Sequence, residues 1–169
     1  MKHLLPLLAV AAAAALTAGA AETPRWLRNA AISPDGKTIA FTYKGDIFTV
    51  PSTGGLARQI TSNPAFDTAP VWSPDGRTII FSSTREGSAD LFAVDAIGGT
   101  PRRLTTAASN EKPLGFIDAT TLLFSASGAP SVTSSRMPTA LTKTYAIDVT
   151  KPQARPRLWL SMVCASSCR

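Results

Sequence analysis

Ten residues, written twice, limit what this chain can fold into. Ile32-Ser33-Pro34-Asp35-Gly36-Lys37-Thr38-Ile39-Ala40-Phe41 returns as Trp72-Ser73-Pro74-Asp75-Gly76-Arg77-Thr78-Ile79-Ile80-Phe81, with the prolines 40 residues apart. A repeat of about that period marks an array of similar supersecondary units. In each copy proline pre-sets φ for the second position of a type I turn, aspartate tolerates the next position, and glycine accepts a positive φ after it. Pro34, Asp35, Gly36, Pro74, Asp75 and Gly76 are therefore expected to be structural turn residues. Turn chemistry already explains both aspartates, so it is preferred to a metal-ligating or acid role for them. Alternation begins after each turn: Ile39, Phe41 and Tyr43 share one face of a strand, and Thr38, Ala40 and Thr42 the other.

The same plan extends along the chain. Ala30-Ala31-Ile32 reads as a short strand before the first turn and Lys37 to Tyr43 as a second. Asp46-Ile47-Phe48-Thr49-Val50 reads as a third, after the reversal Lys44-Gly45. Ala57 to Thr61 reads as an outer strand beyond Gly54-Gly55. In the second unit Asp90-Leu91-Phe92-Ala93-Val94 and Gly98-Gly99 match their counterparts, but the period has grown to 44 residues. Arg85-Glu86-Gly87-Ser88 reads as a longer reversal that absorbs the difference. The third unit is worn. Phe116-Ile117-Asp118-Ala119-Thr120 replaces the turn, Leu122 to Ser125 and Tyr145 to Asp148 resemble strands, and Gly128 to Thr142 reads as an enlarged loop. A four-stranded unit of about 40 residues has the size of a β-propeller blade. The expected fold is all-β: about three four-stranded antiparallel blades of an incomplete β-propeller, following an N-terminal signal helix. The blades are expected at about 26–62, 69–106 and 113–161 within a partial propeller at 21–162, ahead of a tail at 163–169.

The first 20 residues stand outside this plan. Lys2 and His3 precede an apolar run from Leu4 to Leu16, and Ala18-Gly19-Ala20 offers small residues at a cleavage site, the layout of a secretory signal peptide. The run is shorter than the roughly 20 residues that span a bilayer, which disfavours a retained anchor. Export to the periplasm or outside the cell is expected, with membrane contact only through the signal peptide. His3 is the only histidine. Its removal would leave no histidine for a Ser-His-Asp or Cys-His mechanism, nor for a His-ligated zinc site. No catalytic residue, metal ligand or cofactor is assigned. The net charge is +6, from 17 Lys+Arg against 11 Asp+Glu, and it is scattered. Nucleic-acid binding would need a clustered basic face, so no nucleic-acid partner is expected.

The repeat Ser-Pro-Asp-Gly-(Lys/Arg)-Thr-Ile-x-Phe, followed by Asp-(Ile/Leu)-Phe-x-Val, Gly-Gly and a terminal Ile/Leu-Thr, resembles the WD40-like PD40 repeat. That repeat occurs in TolB-like proteins and in the N-terminal propellers of tricorn-type peptidases. The resemblance is good over residues 30–106 and loose over 114–160. Trp26-Leu27-Arg28, Tyr43 to Pro51, Thr61 to Trp72 and Met137 to Thr142 are similar to the opening blades of exported tricorn-type serine peptidases. In that family the active site lies in later domains and the propeller gates or guides peptides, so the resemblance implies a non-catalytic chain with a peptide or protein partner. A TolB-like binding scaffold and the propeller of a prolyl-oligopeptidase-type enzyme remain the alternatives. Closed propellers have about four to eight blades. An ending after about three, with a tail foreign to the repeat, is what a truncated or out-of-frame reading of a longer gene would give.

Two carboxylates attract a functional reading. Asp67 and Glu111 occupy comparable places in the crossings Ser62 to Ala69 and Ala107 to Pro113, and are candidate contacts at the channel face; the competing expectation is a solvated loop residue. Cys164 and Cys168 read as an incidental tail, since a disulfide closing so small a loop would restrict little chain entropy. Phe41, Phe48, Phe81, Phe92, Phe124 and Tyr145 are expected to pack between blades. End blades expose an apolar face, so self-association is expected.

Overall fold

The computed structural model describes residues 26–127, 142–151 and 156–158. The expected signal helix, residues 128–141 of the enlarged loop, and the tail with Cys164 and Cys168 lie outside the described residues. Within them every element is a strand, and twelve strands form three separate four-stranded sheets. The first holds β1 (Arg28–Ile32), β2 (Thr38–Tyr43), β3 (Asp46–Pro51) and β4 (Arg58–Gln59). The second holds β5 (Asp67–Trp72), β6 (Thr78–Glu86), β7 (Ser88–Asp95) and β8 (Arg102–Arg103). The third holds β9 (Asn110–Phe116), β10 (Thr121–Ser127), β11 (Thr142–Asp148) and β12 (Arg157–Leu158). Each sheet is an antiparallel meander in chain order.

The repeated decapeptide folds the same way both times, bond for bond. Ser33 Oγ donates to Asp35 Oδ1 at 2.6 Å and accepts from Thr38 N at 2.9 Å, while Gly36 N donates to Ser33 O at 2.9 Å. Ser73, Asp75, Thr78 and Gly76 repeat these bonds at 2.6, 2.9 and 2.9 Å. The glycines take φ of 72° and 70°, a region costly to a side chain with a Cβ. In each turn the serine hydroxyl comes first among the causes that hold Asp35 and Asp75 below the usual carboxylate range, followed by the backbone N–H of Lys37 or Arg77. The worn third turn substitutes an aspartate at another place: Asp118 Oδ1 accepts from Thr120 N at 2.8 Å and from Thr121 N at 2.7 Å.

Two expectations are refined. The longer reversal at Arg85 to Ser88 turns only at its tip. The added residues lengthen β6 and β7 into a longer hairpin, with Glu86 opposite Ser88 and Gly87 alone at the tip with φ 99°. The register shifts between Ser83 and Glu86, so the hairpin carries an irregularity at Thr84 and Arg85 before its last pair. The outer strands are also shorter than the sequence suggests: β4 and β8 pair over two residues each. Beyond each of them a threonine side chain ties the chain to the sheet. Thr61 Oγ1 accepts from Ile47 N at 3.0 Å, and Thr105 Oγ1 accepts from Leu91 N at 2.9 Å, so a hydroxyl replaces the next rung of the ladder.

The sheets pack face to face. Ala40, Ile47 and Ile60 of the first meet Trp72, Ile79, Phe81, Phe92 and Val94 of the second. Ile80, Leu91, Ala93 and Leu104 of the second meet Leu122, Phe124, Ala126 and Ile147 of the third. Strand alternation explains both layers, because Ile79 and Phe81 point one way and Ile80 the other. Polar ties cross the same seams: Trp72 Nε1 donates to Ala31 O at 3.0 Å, and Arg102 Nη2 to Val149 O at 3.0 Å. An aromatic pair recurs in each sheet: Phe41–Phe48, Phe81–Phe92 and Phe124–Tyr145, at centroid separations of 5.9, 6.1 and 5.6 Å. In the second and third sheets this pair packs against the preceding sheet. In the first sheet it lines an open apolar groove of about 500 Å³ with Leu27, Ile39, Tyr43 and Val50. The array is unclosed.

Candidate protein-interaction site

β5 and β9 begin at Asp67 and Asn110, inside the stretches expected to be crossings, and this changes the meaning of both candidate carboxylates. Asp67 sits opposite Ser83 and Glu111 opposite Ala126, so both side chains enter the space between sheets. Asp67 is 0% exposed and Glu111 2%. Neither is a solvated loop residue, because strand pairing turns each inward and a neighbour holds each carboxylate.

Asp67 is taken by Arg85. Nη2 donates to Oδ2 at 2.6 Å and Nε to Oδ1 at 3.4 Å, while Nε also reaches Ser83 Oγ at 3.0 Å. The guanidinium lies 5.6 Å from the Phe81 ring centroid and 5.3 Å from that of Phe92, so it caps the aromatic pair as well. Asp90, opposite Ser83 on β7, receives Arg103 Nη2 at 2.6 Å. Burial pushes the Asp90 carboxyl above its ordinary range, and the bond from Arg103 opposes that. Glu111 accepts a short hydrogen bond from the Thr105 hydroxyl, and its carbonyl accepts from Ser82 Oγ at 2.6 Å. Burial is the main cause raising the Glu111 carboxyl; the Thr105 bond opposes it and the Asp90 charge adds to it. Glu111 thus ties the third sheet to the second, whereas Asp67, with Ser83 and Arg85, lies on the face of the second sheet that packs against the first. Reading them from the sequence missed Arg85, Arg103 and Thr105. One signal was present: Thr61 and Thr105 stand 44 residues apart, the grown period of the repeat.

Beside Glu111 the seam opens to solvent. A polar cleft of about 320 Å³ lies between the second and third sheets, walled by Thr68, Ser82, Asn110, Lys112, Ser125 and Ser127. These side chains offer hydroxyl and amide groups and one ammonium, suited to hydrogen-bonding an extended main chain. The turn residues Pro34, Asp35, Pro74, Asp75 and Gly76 lie together around a second groove, of about 500 Å³, with Trp72 and Ile97. There the aspartates are engaged by their own turns. Among the described residues no three of His, Cys, Asp and Glu gather where they could hold a metal ion.

Residues 24–160 match the family described as the tricorn protease N-terminal β-propeller domain. The chain is 33% identical over 72 residues to tricorn protease homolog 1 of Streptomyces coelicolor, covering 43% of this chain and 7% of that one. It is 34% identical over 84 residues to a TolB homolog of Chlorobium luteolum, covering 50% of this chain and 19% of that one. Among solved structures, TolB from Agrobacterium tumefaciens superposes with a TM-score of 0.61 at 24% identity, over 74% of this chain and 46% of that one. The tricorn protease superposes with a TM-score of 0.53 at 20% identity, over 72% of this chain and 13% of that one. These superpositions carry the fold alone, and the chain spans well under half the length of the curated relatives it matches.

Proposed function

Since this chain belongs to the tricorn protease N-terminal β-propeller family, we propose that it is a non-catalytic peptide- or protein-interaction module, the substrate-guiding part of an exported tricorn-type serine peptidase. The observation that carries the reading is the family match over residues 24–160, which leaves the sole histidine, His3, outside it. The polar cleft between the second and third sheets supports it, because hydroxyl and amide groups at strand edges suit a peptide backbone. The layout of residues 1–20 supports export.

A second reading is a TolB-like scaffold for protein partners. It is supported by the 34% identity over 84 residues to the TolB homolog of Chlorobium luteolum. Fold likeness does not choose between these roles. The coding sequence downstream of Arg169 does: a peptidase domain there supports the first reading, and a complete short propeller supports the second.

The test for either is binding without cleavage. The purified chain, titrated into a pool of fluorescent peptides, is expected to raise their anisotropy while mass spectrometry finds every peptide intact. Cleavage that copurifies with the chain, or no binding across the pool, would contradict the proposal.

A further inference from the structure

Equivalent positions build the first and second inter-sheet clefts, yet the two differ. Arg28 pairs with Thr42 in the first sheet as Thr68 pairs with Ser82 in the second. In the second cleft Ser82 Oγ donates to Glu111 O and closes the row. In the first, Thr42 is 7% exposed and its Oγ1 has no hydrogen-bond partner among the described residues. Buried hydroxyls are normally paired, so an orphan asks for a partner from outside.

The space beside it is about 510 Å³, walled by Thr42, Trp26, Arg28, Lys44, Phe66 and Thr68. Trp26 and Phe66 are 64% and 66% exposed, large apolar surfaces facing water. Arg28 lies over the Trp26 ring at 5.9 Å and Lys44 over Tyr43 at 5.4 Å, and neither makes an ion pair among the described residues. Asp67, which enters the same seam, is already held by Arg85. Asp46, two residues from Lys44, accepts from Gln59 Nε2, Thr61 Oγ1 and Asn63 N. The cleft therefore combines two cations without an ion-pair partner among the described residues, one unspent donor and two aromatic walls.

We propose that this cleft binds a peptide carboxylate carried beside an aromatic or aliphatic side chain. The Arg28 guanidinium and Lys44 ammonium take the carboxylate, Arg28 through its planar fork. The Thr42 hydroxyl donates to a ligand oxygen, and Trp26 and Phe66 flank the apolar side chain. The proposal rests on the peptide-binding reading of the chain and supplies its site and ligand chemistry. The carboxylate has two possible sources, a chain terminus or an acidic side chain.

Calorimetric titration of the full chain with three pentapeptides tests it. One ends in phenylalanine with a free carboxylate. The second is the same peptide as its amide, and the third is amidated with a glutamate before the phenylalanine. At least one carboxylate peptide is expected to bind tenfold or more tighter than the neutral amide, and which one does so identifies the source. Arg28→Gln is expected to bring that affinity to the amide's level, and added salt to weaken it. Thr42→Val, which removes an unpaired hydroxyl at constant shape, is expected to weaken binding several-fold while the melting temperature holds or rises. Binding that ignores charge or Arg28→Gln would overturn the cleft and leave the peptide-binding reading standing. No binding by these peptides or by any of the wider pool would overturn both.

Discussion

Replacing Arg85 with methionine should weaken the fold more than any other single change to a partly exposed side chain. Asp67 is fully buried, and Arg85 supplies both of its ionic contacts. Breaking a buried ion pair by removing one partner costs about 3–5 kcal/mol, because the other charge stays buried alone. Arg85 keeps 15% of its side chain exposed, so water can reach part of the site and the lower end, about 3 kcal/mol, applies. Losing the guanidinium from the faces of Phe81 and Phe92 adds about 0.5–1 kcal/mol, which methionine recovers in part by contact. Urea unfolding followed by circular dichroism reads this directly. With a slope of roughly 1.5 kcal/mol per molar, the midpoint should fall by about 2 M. Pairing Arg85→Met with Asp67→Asn removes the stranded charge and should restore most of the loss, a coupling of about 2 kcal/mol. A single variant within about 0.5 kcal/mol of wild type, or a double variant whose losses simply add, would refute the reasoning.

Trp72→Phe deletes the donor to Ala31 O across the first seam and should cost about 1 kcal/mol by the same unfolding assay. Gly36→Ala and Gly76→Ala should each cost about 1–2 kcal/mol. A Cβ at Gly36 meets nothing within 4 Å, so its cost is conformational, and a loss smaller at Gly76 by more than about 1 kcal/mol would deny that the two turns are equivalent. Glu111→Gln keeps an acceptor for Thr105 and removes a charge that burial disfavours, so neutral-pH stability should hold or rise. The pH dependence has two limbs. Glu111 and Asp90 are raised, so their contribution is full below their unfolded values of 4.5 and 3.8 and is lost as pH climbs through the folded values. Asp148, lowered to about 2, with its Thr150 hydroxyl bond first among the causes, contributes above 3.8 and loses that as pH falls. Unfolding midpoints against pH should show the limb that falls above pH 4.5 flatten in Glu111→Gln.

The fold was legible where one residue fixes one local conformation. Pro34 and Gly36 set a turn, and the alternation after it set the inward faces. Phe81, Phe92, Phe124 and Tyr145 therefore read as packing between sheets, where they lie. The role of Asp67 and Glu111 was not legible in that way. Their place in the repeat located them, but burial depends on which side chain of the next strand stands opposite, and Arg85 belongs to a hairpin extension that the first unit lacks. The reversal at Arg85 to Ser88 was legible, but the pairing of Glu86 with Ser88 inside it was not, because Arg, Glu, Gly and Ser suit turns as well as strand ends. Thr42 and Ser82 look interchangeable in the sequence. They differ only because the neighbouring sheet brings an acceptor to one and not to the other.

The account as a whole depends on three sheets stacked in sequence, each covering the aromatic pair of the next, with the Phe41–Phe48 pair lining an open groove at the end and no further sheet over it among the described residues. Sedimentation equilibrium of the chain and of its Val50→Lys variant tests that most directly, since Val50 lines the open groove. The account predicts concentration-dependent association of the parent chain and a monomeric variant with unchanged strand content. A parent chain that stays monomeric at every concentration, with a sharp melt unaffected by the lysine, would contradict it.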